Sequence, residues 1–328
     1  MLDLDNKDTI FCIKNEQDFN AYALKLFDLH YRKNTLYNTF VSMFAKDVRP
    51  KHWKEIPCLP VSFFKTHDLY LHKRESAAVF TSSGTTGAFT SRHLIDDLGY
   101  YHQVCLRGFE EFYGDINAFA FCCLLPSYLE RTGSSLIHMC KHFIEVSGAG
   151  DFYLNNLDQL KKDIVEYKNS GRQVVLIGVS FALLDLAETN PDRTVFENVI
   201  VMETGGMKGR RKEITREELH DELKSSFGID QVHSEYGMTE MLSQAYSLSN
   251  GIFRAPPWVK VSARHVHDPK EIRLPGRPGL LNIYDLANRH SMPFIALDDI
   301  GVVNEDESFE VLGRYDAADT RGCNLMVL

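Results

Sequence analysis

The sequence predicts an α/β fold with a largely parallel sheet, preceded by a helical segment and followed by a small β-rich subdomain. Three observations carry this reading. From Ser76 to about Ile252, short apolar runs alternate with helix-length amphipathic ones, the pattern of strands joined by crossover helices. Near Arg254 the texture changes: six of the 11 prolines lie between Pro256 and Pro293, and short alternating segments follow. The chain has 328 residues, 44% of them apolar and 25% charged. A chain of that size buries roughly three quarters of its unfolded surface, and that composition excludes disordered, collagen-like and disulfide-scaffold classes.

Taken in order, residues 1–75 are expected to be mainly helical, because Phe19, Tyr22, Ala23, Leu26 and Phe27 recur at helical spacing. Residues 76–253 are expected to form the α/β core. Its strands are expected at Ala77–Phe80, Ala118–Leu125, Gln173–Gly178, Asn198–Met202 and Gln231–His233. Its helices are expected at Leu94–Phe112, Ser135–Glu145, Leu157–Lys168, Phe181–Glu188 and Thr215–Phe227. Residues 254–312 are expected to form the β-rich subdomain, with strands around Leu280–Tyr284 and Phe309–Leu312, and residues 313–328 a tail. No internal repeat or low-complexity tract is present.

The net charge is −9. A uniformly acidic chain is a poor general binder of nucleic acid, since phosphate affinity needs clustered positive charge. Seven cysteines, odd in number and without a Cys-x-x-Cys pair, suggest neither a zinc site nor a disulfide framework, and fit a reducing compartment. The acidic start Met1-Leu2-Asp3-Leu4-Asp5 is not a signal peptide, and no apolar run approaches the ~18–20 residues of a membrane span. A cytoplasmic location is expected.

Four segments carry chemistry. In Val79-Phe80-Thr81-Ser82-Ser83-Gly84-Thr85-Thr86-Gly87 an apolar strand runs into hydroxyls and glycines, and a helix follows. Glycines let backbone N–H groups approach a phosphate, and hydroxyls add donors. No Lys follows Gly87, so this is not the P-loop of nucleoside triphosphatases. A plain Ser/Thr/Gly turn is the bland alternative, and five hydroxyls around two glycines argue against it. In Ser234-Glu235-Tyr236-Gly237-Met238-Thr239-Glu240, Tyr236 offers a ring to stack on a base, Gly237 permits close backbone approach, and Thr239 and Glu240 offer the hard oxygens that Mg²⁺ prefers. Alone this segment reads equally well as a strand-end turn with an exposed acid. Leu297-Asp298-Asp299-Ile300-Gly301 could present a carboxylate at a turn to the hydroxyls of a ribose, and Gly313-Arg314-Tyr315-Asp316 follows it. Each is weak alone.

In this order the four segments resemble the adenylate-forming superfamily of acyl- and aryl-CoA ligases, luciferases and peptide-synthetase adenylation domains. Within it, Pro60-Val61-Ser62-Phe63-Phe64-Lys65-Thr66-His67-Asp68, Ser91-Arg92-His93, the segment Leu125–Ser135 and Glu203-Thr204-Gly205-Gly206-Met207-Lys208-Gly209 resemble the acyl-protein synthetases of LuxE type. The resemblance implies the large-domain architecture of adenylate-forming enzymes. It implies activation of a carboxylic, fatty-type acid by ATP with Mg²⁺, release of pyrophosphate, and transfer of the acyl group to a protein cysteine for delivery to an acyl reductase or carrier protein. It makes Thr81, Ser82, Ser83, Gly84, Thr85, Thr86 and Gly87 the phosphate loop. Tyr236 and Gly237, with Gly205 and Gly206, would border adenine, Thr239 and Glu240 would hold Mg²⁺ and the α-phosphate, and Asp299 and Arg314 would hold the ribose. Cys323, in Arg321-Gly322-Cys323-Asn324-Leu325, falls where the acyl acceptor is expected. Most members carry a further C-terminal lid domain of ~110 residues with a catalytic lysine. This sequence is expected to lack it.

Other readings stay open on the residues. Lys208, Arg210 and Arg211 could add positive charge near the phosphates or form a solvated loop. Cys323 could be a chance thiol in a frayed tail, which would leave CoA as acceptor in an acyl- or aryl-CoA ligase. Gly178-Val179-Ser180-Phe181-Ala182 approaches the nucleophile elbow of α/β hydrolases, but no convincing Asp-then-His pair follows, and Ser180 reads better as a helix N-cap. A nucleotide-binding protein without turnover is the non-enzymatic alternative. His138, His142, His233, His265 and His267 form no spaced ligand set.

Overall fold

The computed structural model describes residues 3–4, 6–44, 49–82, 90–126, 133–207, 210–212 and 214–315. The chain divides into two compact units. One comprises Met1–Tyr101, Thr239–Ser243 and Arg254–Leu328; the other comprises His102–Met238 and Gln244–Phe253.

In the first unit, helix α1 spans Glu16–Lys33. Asn15 caps it through Oδ1, which accepts from Asp18 N at 2.9 Å. Glu16 and Asp18 lie in the first turn and His30, Arg32 and Lys33 in the last, each sign at the favourable end of the helix dipole. Its buried face is Phe19, Tyr22, Ala23, Leu26, Phe27 and His30, the predicted stripe extended by one turn. Helix α2 (Thr35–Phe44), strand β1 (Leu59–Pro60), helix α3 (Phe63–Thr66) and the antiparallel pair β2 (Ala78–Thr81) and β3 (Arg92–Ile95) follow. Helix α4 (Leu98–Tyr113) leads into the second unit.

That second unit contains β4 (Phe119–Leu124), α5 (Ser135–Ser147), β5 (Gly150–Tyr153), α6 (Leu157–Asn169), β6 (Gln173–Val179), α7 (Ser180–Glu188), β7 (Ile200–Thr204), α8 (Arg216–Phe227), β8 (His233–Tyr236), β9 (Ala245–Ser247) and β10 (Ile252–Phe253). The sheet order is β5-β4-β6-β7-β8-β9, all parallel except the β8–β9 pair. Every residue of β4 is buried, as in a parallel sheet covered on both faces. Phe109 centres the aromatic core, with ring centroids 5.2–5.3 Å from Phe119, Phe121 and Phe143. Burial of each such ring contributes about 1.5–3 kcal/mol.

The chain returns to the first unit with β11 (Val259–Arg264), β12 (Pro278–Asp285), β13 (Phe294–Val303) and β14 (Phe309–Arg314), an antiparallel run. Strand β1 pairs parallel with β13. Trp53, 2% exposed, packs edge-on against Tyr284 at 4.9 Å and Phe19 at 5.7 Å, tying the helical start to this sheet.

The α/β class and its mainly β C-terminal part are as the sequence predicts; several element boundaries are corrected. The expected helix Leu94–Phe112 begins as strand β3, because Leu94 and Ile95 pair with Val79 and Ala78. The helix starts only after Asp97, whose Oδ1 accepts from Tyr100 N at 3.0 Å. The expected strand Asn198–Met202 is displaced to Ile200–Thr204, since Asn198 adopts φ +60° in a turn. The expected strand Gln231–His233 becomes His233–Tyr236, set by parallel pairing of Met202–Thr204 with His233–Glu235. The expected strand Phe309–Leu312 extends to Arg314. Asp298 and Asp299 sit within strand β13 rather than at a turn. Register shifts beside them between Ile300 and Gly301, where a Cβ on Gly301 would lie 2.3 Å from Glu310 O.

Candidate active site

Each unit carries its own share of the predicted residues. In the first, Thr239-Glu240 is held by a buried polar network. His93, 1% exposed, donates through Nδ1 to Thr239 O at 2.7 Å, and its Nε2 lies 2.9 Å from Asn288 Oδ1. The Asn288 amide donates to Glu240 O at 2.7 Å and to Met292 O at 3.0 Å. Two residues on, Asp285 accepts from Leu242 N, Ser243 N and Ser243 Oγ at 2.7–3.0 Å. The segment 239–243 is thus pinned on both sides by groups that would be costly to leave unpaired in the interior.

Glu240 is not the exposed acid that the bland reading requires: it is 4% exposed. Burial raises its pKa, opposed by a hydrogen bond from Ser91, by its own backbone, and by the charges of Arg314 and Lys65. The nearby positive charges only partly offset the cost of burying the carboxylate, since its pKa stays raised. Carboxylate and hydroxyl oxygens are the ligand type that Mg²⁺ prefers.

Asp299 and Arg314 are direct cross-strand partners of β13 and β14. Fifteen residues apart in sequence, they meet because the two strands form a hairpin. Asp298 is exposed and Asp299 half-buried, so the neighbouring carboxylates have different surroundings. Tyr315 N donates to Asp298 O at 2.7 Å and fastens the chain just beyond Arg314. Thr81 ends β2 opposite Arg92, and Ser82 Oγ accepts from Ser91 N at 2.9 Å. Ser83, Gly84, Thr85, Thr86, Gly87, Lys208 and Cys323 lie outside the described residues.

In the second unit, Gly205 follows strand β7 with φ +68°, a conformation that side chains disfavour. Tyr236, half-buried, closes β8 with its ring 5.7 Å from that of Phe253. Beneath these positions Glu203 pairs with Arg216 at 2.9 Å, its pKa lowered by His220, Arg216 and Ser234 against the opposing effect of burial. Glu235, one residue before Tyr236, is pushed up to about 7 by burial and by the neighbouring Glu203 charge, and shares a short hydrogen bond with Thr204 Oγ1.

Ser180 is 2% exposed and is the first residue of α7 rather than its cap. Its hydroxyl donates to Gly205 O at 3.1 Å, a structural bond rather than a nucleophile's setting. Arg211 is bound to Asp185 and Glu188, so it belongs to a surface ion-pair network. The sequence reading gave no role to His93, Asn288, Asp285 or Lys65. His93 and Asn288 are 195 residues apart, and no spacing signal joins them.

The profile of the family described as "Acyl-protein synthetase, LuxE" matches residues 136–328. Two long-chain-fatty-acid–luciferin-component ligases, from Aliivibrio fischeri and Vibrio harveyi, are each 24% identical to this chain. They cover 91% of it, and it covers 85% and 84% of them. Among solved structures, an open 2-hydroxyisobutyryl-CoA ligase in complex with 2-HIB-AMP and CoA superposes with a TM-score of 0.68 at 13% identity, over 92% of this chain and 70% of that one. ATP-bound MatB from Rhodopseudomonas palustris superposes with a TM-score of 0.56 at 15% identity over 74% of this chain. The chain spans about half the length of that MatB, covering 50% of it. These likenesses share the α/β architecture of adenylate-forming enzymes. The profile covers the β7 and β8 strand ends, the segment pinned by Asn288 and the Asp299–Arg314 hairpin, more than half of the sequence, and on that match the chain belongs to the LuxE family of acyl-protein synthetases.

Proposed function

We propose that the chain activates a fatty-type carboxylic acid with ATP and passes the acyl group to a protein thiol. A carboxylate oxygen attacks the α-phosphorus of ATP, an O–P bond forms, the bond to the β,γ-diphosphate breaks, and pyrophosphate leaves. The product is an acyl-adenylate. A cysteine thiolate then attacks the acyl carbon, the C–S bond forms, and AMP departs with the electrons of the C–O bond. Membership of the acyl-protein synthetase family carries this reading.

The first step needs positioning and charge neutralisation more than covalent help. Asp299 accepts from the ribose hydroxyls and Arg314 donates beside it; their cross-strand pairing supports a shared role. Tyr236 stacks on adenine, with Gly205, Gly206 and Gly237 allowing close approach. Thr81, Ser82, Ser83, Gly84, Thr85, Thr86 and Gly87 hold the phosphates through hydroxyl and backbone donors. Thr239 and Glu240 would hold Mg²⁺, whose charge neutralises phosphate oxygens when it is bound. The network from His93 and Asn288 keeps these two residues in place. Cys323 is the thiol that takes the acyl group, for delivery to an acyl reductase or carrier protein. The six described cysteines are free, which suits a reducing, cytoplasmic setting. Among the described residues no helix is long and apolar enough to cross a membrane.

Trapping tests the reading. The chain, ATP, Mg²⁺, a long-chain fatty acid and hydroxylamine should yield the fatty hydroxamate without added CoA. Absence of hydroxamate with every acid would contradict adenylation, and a folded chain that forms acyl-adenylate but carries no acyl thioester without CoA would be an acyl-CoA ligase instead.

A further inference from the structure

A cavity of about 280 Å³ in the first unit is lined by none of the residues assigned to ATP. Its apolar wall is made by Phe44, Ile56, Pro57, Ile272, Tyr284 and Ala296. Arg264, 8% exposed, also lines it. The guanidinium donates through Nη1 to Leu281 O and Asn282 Oδ1, both at 2.8 Å, and through Nη2 to Leu297 O at 2.6 Å. All three acceptors are neutral, and among the described residues no carboxylate forms an ion pair with it. Buried charges are ordinarily paired; Asp298 acts on this one without forming an ion pair, so its charge is only partly compensated.

The spent and unspent donors are unevenly placed. A guanidinium has five N–H groups. Both on Nη1 and one on Nη2 are used, leaving Nε–H and the second Nη2–H. Nε and Nη2 lie along one edge of the planar fork, and such an edge can bind a carboxylate or phosphate in bidentate fashion.

The surroundings share this polarity. Lys54 and Lys270 also line the cavity, and both are exposed. Each is steadied over an aromatic ring at 5.2 Å, Lys54 over Trp53 and Lys270 over Phe44. The one carboxylate in the lining, Glu55, accepts from Lys51 N at 2.7 Å. Three cations against one acid is a local excess of positive charge in a chain of net charge −9. Cys58 lies on the wall, but burial pushes its thiol up to about 12, so it is no nucleophile at neutral pH. The site is therefore built for binding rather than covalent chemistry.

We propose that this cavity is a second ligand site, taking a compact amphipathic anion whose carboxylate or phosphate head pairs with the Nε–Nη2 edge of Arg264 and whose apolar body lies against Ile56, Ile272 and Tyr284. Its volume lies near the lower end of small-molecule sites, roughly 300–1,000 Å³, which suits a short chain.

Calorimetric titration of the full chain tests this with four probes: hexanoate, hexyl phosphate, hexanol and inorganic phosphate. The expected result is saturable binding of hexanoate or hexyl phosphate, roughly tenfold or more tighter than hexanol or inorganic phosphate. Whichever of the two binds identifies the head. Because hexanoate could also enter the acid-activating site, each titration is repeated on Asp299→Ala and with ATP present, and binding here should be unchanged by either. Arg264→Gln should abolish the binding while acid activation persists. Should that variant fail to fold, Lys54→Ala/Lys270→Ala decides, since both side chains are exposed; it should weaken hexanoate or hexyl phosphate several-fold and leave hexanol unaltered. Equal affinity for hexanol, equal affinity for inorganic phosphate, or wild-type binding by the folded variants would overturn the proposal.

Discussion

Of the two adjacent carboxylates, Asp298 and Asp299, the proposed function assigns the ribose to Asp299. Neighbours on an extended strand point to opposite sides, and only Asp299 stands opposite Arg314. Asp299→Ala should weaken ATP or AMP binding about tenfold or more, the loss of a charge-assisted hydrogen bond worth about 1.5–3 kcal/mol. Asp298→Ala should change it several-fold less, and equilibrium titration compares the two. The reverse order would move the contact to Asp298. Glu240→Ala belongs to the same scale. If its carboxylate holds a divalent cation, turnover should fall by at least about a hundredfold, whereas the denaturation midpoint should move little, because the variant also removes the cost of burying a charge. Unaltered acid-dependent turnover in that variant would remove Glu240 from the metal assignment. Tyr236 to Glu240 is one local motif, so this part of the candidate site could be proposed from the sequence alone. Glu240's electrostatic surroundings could not, because Ser91, Arg314 and Lys65, which act on its carboxylate, lie far from it along the chain.

At the scale of elements, the paired ends of β7 and β8 make stability depend on pH. Glu235 in the folded chain is held at about 7, well above an unfolded glutamate near 4.5. The folded state therefore binds more protons between these values, and its advantage is full below about 4.5 and lost as pH rises through about 7. A shift of that size corresponds to a few kcal/mol. Denaturant titrations from pH 5 to 8.5 should show stability falling with pH, and Glu235→Gln, which mimics the protonated form, should flatten that slope and be the more stable chain at pH 8. A wild-type slope in Glu235→Gln would place the linked proton elsewhere. Elements with strong helical spacing, such as α1 and α6, were read correctly from sequence, because one buried stripe suffices to mark them. Strand β3 was absorbed into a helix because Leu94 and Ile95 fit either period; only the capping of α4 by Asp97 and the pairing with β2 decide between them. Strand β13 was taken for a turn at Asp298-Asp299, whose polarity masked a strand buried at its start and open at its end.

For the whole molecule, the family was legible because each motif is local and can be recognised without the fold. Which distant residues support them was not, as the pairing of His93 with Asn288 illustrates. In the proposed function the second step rests on Cys323. Labelled fatty acid with ATP and Mg²⁺ should leave label on the wild-type chain that neutral hydroxylamine releases, and Cys323→Ser should still form acyl-adenylate yet carry no such label. Undiminished hydroxylamine-labile labelling of Cys323→Ser would assign the acceptor to another thiol of the chain. Adenylation itself is the central claim, and acid-dependent exchange of labelled pyrophosphate into ATP, in the absence of CoA, tests it most directly. A panel of carboxylic acids of increasing chain length should produce exchange that depends on the acid, peaks among the fatty acids and disappears in Glu240→Ala. Absence of exchange with every acid, in a folded chain that binds ATP, would contradict the account.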